Sequence, residues 1–336
     1  MINPTSSPDS PHFPVMLDEV IKICSPDKGG VYIDCTFGGG GYSKKLLKFS
    51  KTKVIALDRD DFIIAISKEL KQKYPNRFFF HQKKFSDVNT LAGNQSVDAV
   101  IFDLGLSSIQ LNNLKRGFSF NSKEKLDMSM GLSSISAEEV VNNFSEQKLK
   151  SIIKILGEEK DASRIARNII KTRLIKKITK VDQLVSIIEK SKKKNYLKKI
   201  NVCTKTFQAL RIFVNKETTE LIEGLIKATQ LVKDGGKIVV ISFHSIEDKI
   251  VKYFFKNFSK NQSRTSKYLP ERVDNLCLFE NYKNKIIKAT LKEIKQNPRS
   301  RSAKLRFAIR SSNEFSDPKE LRNKFKYLTD LEERIA

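Results

Sequence analysis

The sequence has no tryptophan, and its four cysteines, Cys24, Cys35, Cys203 and Cys277, include no C-x-x-C pair. Cysteines scattered in this way favour neither a zinc site nor a disulfide framework, and they fit a reducing cytoplasm. No apolar run approaches the ~18 residues that a transmembrane helix needs, and the first 14 residues have neither the basic nor the apolar region of an export signal. We therefore expect a cytoplasmic protein that has no membrane partner and requires no metal.

Acidic residues are also few, since 38 Asp and Glu stand against 63 Lys and Arg, a net charge of +25. The excess is concentrated: residues 151–200 carry 15 basic and 5 acidic side chains, and residues 251–310 carry 16 and 4. This distribution indicates a polyanionic partner, most simply a nucleic acid. A general drift toward lysine is the alternative, but drift would also have made the first 150 residues basic, and they carry only +3.

The first hundred residues alternate short apolar segments with amphipathic ones, which predicts an α/β fold with a parallel sheet and helices on both faces. The predicted strands are Val31–Cys35, Lys53–Leu57, Arg77–His81 and Val97–Asp103. The predicted helices between them are Ser43–Phe49 and Asp60–Lys73. Later strands are predicted at Lys237–Phe243, Lys285–Leu291 and Lys304–Arg310.

About 130 residues separate the fourth strand from the fifth, far more than one crossover helix needs. Most of this stretch has a helical pattern, over Ala137–Phe144, Glu146–Leu156, Asp161–Leu174 and Val181–Lys192. We therefore predict a sheet domain formed by residues 1–109 and 206–310, with an all-helical insert at residues 110–205 that recognises the substrate. One long helix, Thr206–Val232, should return to the sheet, and residues 311–336 should form an amphipathic helical tail.

Glycine is scarce, with 14 in 336 residues, yet four stand together at Gly38–Gly41, between Asp34 at a strand end and a helix. Such a turn lets the backbone approach a ligand closely. Asp58 closes the next strand, where a carboxylate can accept both hydroxyls of a ribose. A dinucleotide would require a third glycine at Ser43, so S-adenosylmethionine fits better. A purely structural turn is the alternative.

Asp103 ends the fourth strand and is followed by Ser107 and Ser108. Ligands of open α/β sheets lie at the carboxyl ends of the strands, so we expect this loop to face the methyl donor and the acceptor; helix capping is the alternative. His244 follows the fifth strand at the same edge and could approach the acceptor base. Ser245 with Asp248 could instead begin a helix there.

A series of motifs in order along residues 12–310 resembles the bacterial ribosomal RNA small subunit methyltransferase H family. They are His12–Val20, Asp34–Ser43, Ala56–Asp60, Asp103–Ser108, Arg116–Phe120, Leu126–Met128, Gly157–Glu159, Thr206–Arg211, Ser242–Asp248 and Asn297–Ser302. The resemblance implies a Rossmann-like S-adenosylmethionine-dependent methyltransferase sheet. It also implies methyl transfer to N4 of a decoding-centre cytosine in 16S ribosomal RNA, in the small subunit or its precursor.

The resemblance further implies the cofactor contacts, which would be Gly40, Gly41, Tyr42, Asp58, Phe85, Asp103 and Gln110. The sequence departs from the family at three places: Tyr42 stands where histidine is usual, Cys35 where glycine is usual and Ile109 where proline is usual. Nothing in the sequence assigns a catalytic proton acceptor.

Arg116, Phe118 and Phe120 would offer charge and a stacking surface to an extruded base, although packing within the loop is the alternative. Phosphate contacts are expected from the basic clusters, which are Lys192–Lys194, Lys198–Lys199, Arg299, Arg301, Lys304 and Arg306. Two other functions remain open at this point. The chain could be a methyltransferase for DNA or a small molecule, or an RNA-binding assembly factor without catalysis.

Overall fold

The computed structural model describes residues 14–192, 201–260 and 277–333. These residues cluster into two compact units. The sheet unit consists of the described parts of Met1–Gly105 and Glu220–Lys324, and the helical unit of those of Leu106–Thr219 and Phe325–Ala336. His12 and Phe13, and four lysines of the predicted basic clusters (193, 194, 198 and 199), lie outside the described residues.

The sheet unit is built on seven strands in the order β3-β2-β1-β4-β5-β7-β6. Their bounds are β1 Gly30–Asp34, β2 Thr52–Asp58, β3 Phe78–Gln82, β4 Val97–Asp103, β5 Val232–Ser242, β6 Ile287–Lys288 and β7 Lys304–Ile309. Strands β1 to β5 run parallel, whereas β7 is antiparallel to both β5 and β6. The strand order reverses between β1 and β4, which makes this the topological switch point where ligands bind. The predicted α/β class is confirmed.

Strand β4 shows why the sequence forms a parallel sheet here. Val97, Ala99, Val100, Ile101 and Phe102 all have no exposed surface. A strand covered by helices on both faces reads as a continuous apolar run rather than an alternating one. The run ends at Asp103, which leaves that carboxylate at the carboxyl edge of the sheet.

The α-helices among the described residues are α1 Leu17–Cys24, α2 Gly41–Leu46, α3 Ile64–Lys73, α4 Ser108–Asn112, α5 Ala137–Asn143, α6 Glu146–Ile155, α7 Ala162–Ile175, α8 Val181–Ser191, α9 Thr204–Asn215, α10 Glu217–Leu231, α11 Ser245–Asn257, α12 Leu291–Gln296 and α13 Lys319–Glu333. The predicted tail helix is therefore present as α13. Within the described residues, no helix combines the length and the apolarity needed to cross a bilayer.

Two predicted elements are wrong. The strand predicted at Lys285–Leu291 covers only β6, because the Thr290 side chain accepts a hydrogen bond from Glu293 N (3.2 Å) and begins α12. The single helix predicted at Thr206–Val232 is broken in two at Lys216, whose φ of 50° is left-handed and ends α9.

The helical unit is an assembly of α5 to α9 around a shared apolar core. Helix α6 packs on α7 and α9, and α5 also contacts both of these. Ile152, Ile169 and Leu210 are fully buried. Helix α9 therefore lies in the helical unit, whereas we predicted residues from 206 onward to belong to the sheet domain. Its apolar face packs against α5 and α6, a pairing that sequence spacing does not reveal.

Candidate active site

Three carboxylates lie at the carboxyl ends of neighbouring parallel strands. Asp34 ends β1, Asp58 ends β2 and Asp103 ends β4. Because these strands are adjacent in the sheet, the three acids share one edge at the switch point. The Gly38–Gly41 turn follows β1 at the same edge.

Asp34 holds the glycine-rich turn in place. It has no exposed surface, and it accepts hydrogen bonds from Ser43 Oγ (2.7 Å) and from Thr36 N (3.3 Å). Burial raises the pKa of its carboxyl to about 6, and the two hydrogen bonds limit the rise. Asp34 therefore stabilises the glycine-rich turn from the interior of the sheet unit.

Asp58 is tied to the same turn from the next strand. Its Oδ2 accepts from Gly38 N (2.8 Å) and its Oδ1 accepts from Asp60 N (3.0 Å). Burial raises the pKa of Asp58 to about 6, against the effect of these two bonds. A carboxylate oxygen has two acceptor positions, so both oxygens can still accept a hydroxyl from a ligand.

Two glycines of the turn are required by their surroundings. Gly40 has a φ of +75°, and a Cβ there would lie 2.9 Å from the ring of Phe37. A Cβ on Gly41 would lie 2.6 Å from the side chain of Pro14. Any other residue would displace these neighbours and change the path of the backbone beside Asp58.

Asp103 and Tyr42 contact each other at the end of β4. The Tyr42 hydroxyl lies 3.1 Å from Asp103 Oδ2 and donates to the carbonyl oxygen of Val15 (2.5 Å). Oδ1 of Asp103 is buried and has no hydrogen-bond partner among the described residues. Burial, with smaller contributions from the acidic neighbours Asp34, Glu247 and Glu293, raises the pKa of Asp103 to about 8, and a hydrogen bond donated by Tyr42 would oppose the rise.

The unpartnered Oδ1 of Asp103 indicates whether the residues at this edge fit S-adenosylmethionine. A buried oxygen without a donor is costly, and a bound ligand that supplies a donor or a positive charge removes the cost. S-adenosylmethionine has both, in its amino group and its sulfonium. The hydrogen-bond acceptors at this edge therefore fit the cofactor.

Phe85 follows β3 and presents an aromatic ring near this edge. It is partly exposed and meets Phe102 edge-on, with ring centroids 5.8 Å apart. A Cβ on Gly224 would lie 2.8 Å from the Phe85 ring, so α10 approaches it closely because that position is glycine. The ring is held in place and can serve as a flat apolar wall.

His244 begins α11, and its side chain is mostly buried. Its Nε2 lies 3.0 Å from Glu247 Oε1, an ion pair when the imidazole is protonated, and its Nδ1 has no hydrogen-bond partner among the described residues. Glu247 also accepts from Phe243 N (2.8 Å) and His244 N (3.3 Å). The helix start predicted from Ser245 and Asp248 is thus formed one residue earlier, by His244 and Glu247.

In the helical unit, Ser107 and Gln110 form a capping box at the start of α4. Ser107 N donates to Gln110 Oε1 (2.9 Å), and Gln110 N donates to Ser107 Oγ (3.2 Å). Ser108 is the first residue of α4. The capping alternative therefore holds for Ser107. The side-chain oxygen of Gln110 is engaged by the backbone at the start of its own helix.

Arg116 and Phe118 are buried, which favours the alternative that they pack the loop; their contact with a substrate base stays a prediction. Phe118 is 6% exposed, and the Arg116 guanidinium lies 5.2 Å from the centre of its ring. Arg116 also donates to the carbonyl oxygen of Ser129 (2.7 Å). Both side chains pack the loop. Phe120 is partly exposed and meets Phe207 edge-on.

Arg306 is wrongly predicted as a phosphate contact. It is 2% exposed, and it donates to Asp248 Oδ1 (2.7 Å) and to the Tyr282 hydroxyl (2.9 Å). Lys304 donates to the other oxygen of Asp248 (3.0 Å). These two cations neutralise a carboxylate, whereas Arg299 and Arg301 are exposed.

Sequence reasoning missed the acids around Asp103. Glu247 and Glu293 lie more than 140 residues away along the chain, and no spacing links them to Asp103. Glu293 accepts from Met16 N (2.8 Å), just before α1. The only available signal was that Glu247 stands within a motif of the family resemblance.

Known proteins resemble this chain along most of its length. The MraW methylase family model matches residues 9–311. The chain is 42% identical to the ribosomal RNA small subunit methyltransferase H of Ehrlichia ruminantium, over 89% of this chain and 99% of that one. It is 40% identical to the protein of the same name from Parvibaculum lavamentivorans, over 90% of each chain. Among solved structures, a putative methyltransferase from Streptococcus mutans in complex with SAH covers 88% of this chain and 97% of its own, with 12% identity and a TM-score of 0.38.

The sheet, its switch point and the family match define an S-adenosylmethionine-dependent methyltransferase. Within that class, the chain belongs to the MraW methylase family. The predicted cofactor and the suspected family are thereby confirmed.

Proposed function

We propose that this methyltransferase modifies 16S ribosomal RNA, transferring a methyl group to the exocyclic N4 of a decoding-centre cytosine. The family match and the names of the curated relatives support methylation of ribosomal RNA. The choice of N4 and of the decoding centre is what the resemblance of the sequence motifs to that family implies. The observation that carries the proposal is the unpartnered, buried Oδ1 of Asp103, on the sheet edge that also holds Asp58 and the glycine-rich turn.

We assign the cofactor contacts to Gly40, Gly41, Tyr42, Asp58, Phe85, Asp103 and Gln110. Asp58 would accept the ribose hydroxyls, because its two oxygens keep free acceptor positions. Phe85 would form an apolar wall for the adenine. Asp103 would receive the positively charged end of the cofactor with its unpartnered oxygen.

The bound cofactor supplies an electrophilic methyl group on a sulfonium. The exocyclic amine of cytosine is a weak nucleophile because its lone pair is delocalised into the ring. The protein therefore acts by holding the amine in line with the methyl group and by accepting hydrogen bonds from its N–H groups. Asp103 and His244 lie in the sheet unit at the carboxyl ends of β4 and β5, the strand edge where such acceptors are useful. No residue is assigned as the proton acceptor.

The helical unit is proposed to bind RNA by charge. Helices α7 and α8 flank a groove of about 570 Å³ whose lining includes Lys171 and Lys190 together with Asp182. Lysines of this kind contact phosphates and position the RNA, whereas the choice of one cytosine depends on RNA shape and on the pocket. Ser107 and Ser108, which precede this region in the chain, remain candidates for substrate contact.

The test is mass spectrometry of nucleosides from 16S ribosomal RNA of a deletion strain, after incubation of small subunits with the protein and S-adenosylmethionine. N4-methylcytidine at one decoding-centre position is expected. Methyl on carbon 5, on a ribose oxygen or on another base would refute the N4 assignment. Duplex DNA and free cytidine serve as competing acceptors, and equal methylation of DNA would refute the RNA assignment.

A further inference from the structure

The hydroxyl of Tyr42 contacts two oxygens but has one proton. Tyr42 is 2% exposed, and its oxygen lies 2.5 Å from the carbonyl oxygen of Val15 and 3.1 Å from Asp103 Oδ2. A carbonyl oxygen can only accept, so the phenol proton points to Val15. The hydroxyl therefore presents a lone pair to Asp103. That contact is a hydrogen bond only if Asp103 donates.

The surroundings of Asp103 also favour a protonated carboxyl. Its Oδ1 is buried without a partner among the described residues. The charged groups that act on it from β1, α11 and α12 are Asp34, Glu247 and Glu293, all of them acids. His244, which follows β5 at the same sheet edge, has its Nε2 3.0 Å from Glu247 Oε1. Burial, together with these acids, raises the pKa of Asp103 to about 8, although a hydrogen bond donated by Tyr42 would lower it.

We propose that Tyr42 is a positioning residue that holds a proton on Asp103 in the cofactor-free protein, and that Asp103 gives up this proton when S-adenosylmethionine binds. The inference rests on the proposed function, in which Asp103 contacts the cofactor. A cation beside a carboxylate favours the charged form. The O–H bond of Asp103 breaks, its electron pair stays on the carboxylate and the proton passes to the buffer.

The experiment is calorimetry of S-adenosylmethionine binding to the full chain, between pH 6.5 and 9, in buffers of different protonation enthalpy. The dependence of the measured heat on the buffer gives the number of protons released. Asp103→Asn supplies the background, including any change on the amino group of the cofactor. At pH 7 the wild-type protein should release about 0.9 proton more than Asp103→Asn, as a pKa near 8 requires. Asp34 and Asp58, with pKa values of about 6, are mostly ionised at that pH.

Tyr42→Phe separates the proposal from a passive hydrogen bond. If the Tyr42 oxygen accepts the proton of Asp103, its removal lowers the pH at which proton release is half-maximal. If Tyr42 instead donates to an ionised Asp103, its removal raises that pH. An unchanged or higher midpoint, or equal proton release by the wild-type protein and Asp103→Asn, would overturn the inference.

A direct titration of the wild-type chain tests the inference even if the variants fold or bind poorly. The side-chain carboxyl carbon of Asp103, assigned with Asp103→Asn, is followed by NMR in the cofactor-free wild-type chain. A midpoint near pH 8 supports the inference, and a midpoint below 6 overturns it. Failure of the wild-type chain to bind S-adenosylmethionine would instead refute the proposed function, so the two failures are distinguishable.

Discussion

The sheet unit and the helical unit use charge in opposite ways. The sheet unit holds acids at its strand ends, where Asp34 is fully buried, Asp58 and Asp103 are half-buried, and the pKa values of all three are raised. The helical unit keeps lysines such as Lys171 and Lys176 on its surface. Buried charge is costly and is typical of sites that bind or react, whereas solvated charge of one sign is typical of surfaces that bind polyanions.

The comparison also shows that a count of charges overstates the surface available to RNA. Arg173 lies in the basic block of residues 151–200, yet it donates to the carbonyl oxygens of Val141 (2.9 Å) and Phe144 (2.6 Å). Arg306 lies in the other basic block and is held by Asp248. Both arginines stabilise the fold. Exposed cations such as Lys171, Lys176 and Arg301 remain for phosphate contact.

The largest effect is expected from a substitution that breaks a buried ion pair of the sheet unit. Arg306→Ala leaves Asp248 buried with Lys304 as its remaining cation, which should reduce the free energy of unfolding by about 3–5 kcal/mol in urea titrations. Arg301→Ala, an exposed arginine, is the control and should change it by less than about 0.5 kcal/mol. Wild-type stability of Arg306→Ala together with weaker RNA binding would restore the phosphate role.

The second-largest expected effect is a loss of affinity for the cofactor. Asp58→Ala should weaken S-adenosylmethionine binding by about 1.5–3 kcal/mol, the range for charge-assisted hydrogen bonds, as measured by calorimetry. Because Asp58 also accepts from Gly38 and Asp60, melting curves must show that the variant is folded. Glu69→Gln, an exposed acid on α3, should bind as the wild type does. Unchanged affinity of Asp58→Ala would refute the assignment of Asp58.

The sequence predicted what depends on local pattern. Apolar runs located β1 to β4 and β7 to within one residue, and glycine spacing located the turn beside Asp58; β5 was found, but it begins at Val232, five residues before its predicted start. Sequence-based prediction failed where contacts between residues far apart in the chain determine the structure. The break at Lys216, the capping of α12 by Thr290 and the enclosure of Phe118 all depend on contacts that spacing does not encode. The acids around Asp103 come from α11 and α12 for the same reason.

A pH-dependent effect is expected from Asp34. Its pKa is raised on folding, from 3.8 to about 6, so the stability it contributes is fully present below pH 4 and is lost as the pH rises through 6. Asp34→Asn resembles the protonated acid and removes this dependence. The unfolding free energy of the wild type minus that of Asp34→Asn should fall by roughly 1–3 kcal/mol between pH 4 and pH 7. A flat difference for Asp34→Asn would show that its carboxyl is not perturbed.

The smallest effect tests the surface of the helical unit. Lys171 and Lys176 are exposed on and just after α7, in a stretch, residues 162–180, that contains no acid. If both contact phosphates, the double variant Lys171→Gln/Lys176→Gln loses two counterion-release contributions. The plot of log affinity for 16S ribosomal RNA against log salt should then become shallower by about 1–2. The control is Lys68→Gln/Lys73→Gln, which removes the same charge from exposed positions on α3 of the sheet unit and should leave the slope close to that of the wild type. Equal slopes for the two double variants would mean that the RNA responds to total charge, and the electrostatic contrast between the units would then have no role in binding.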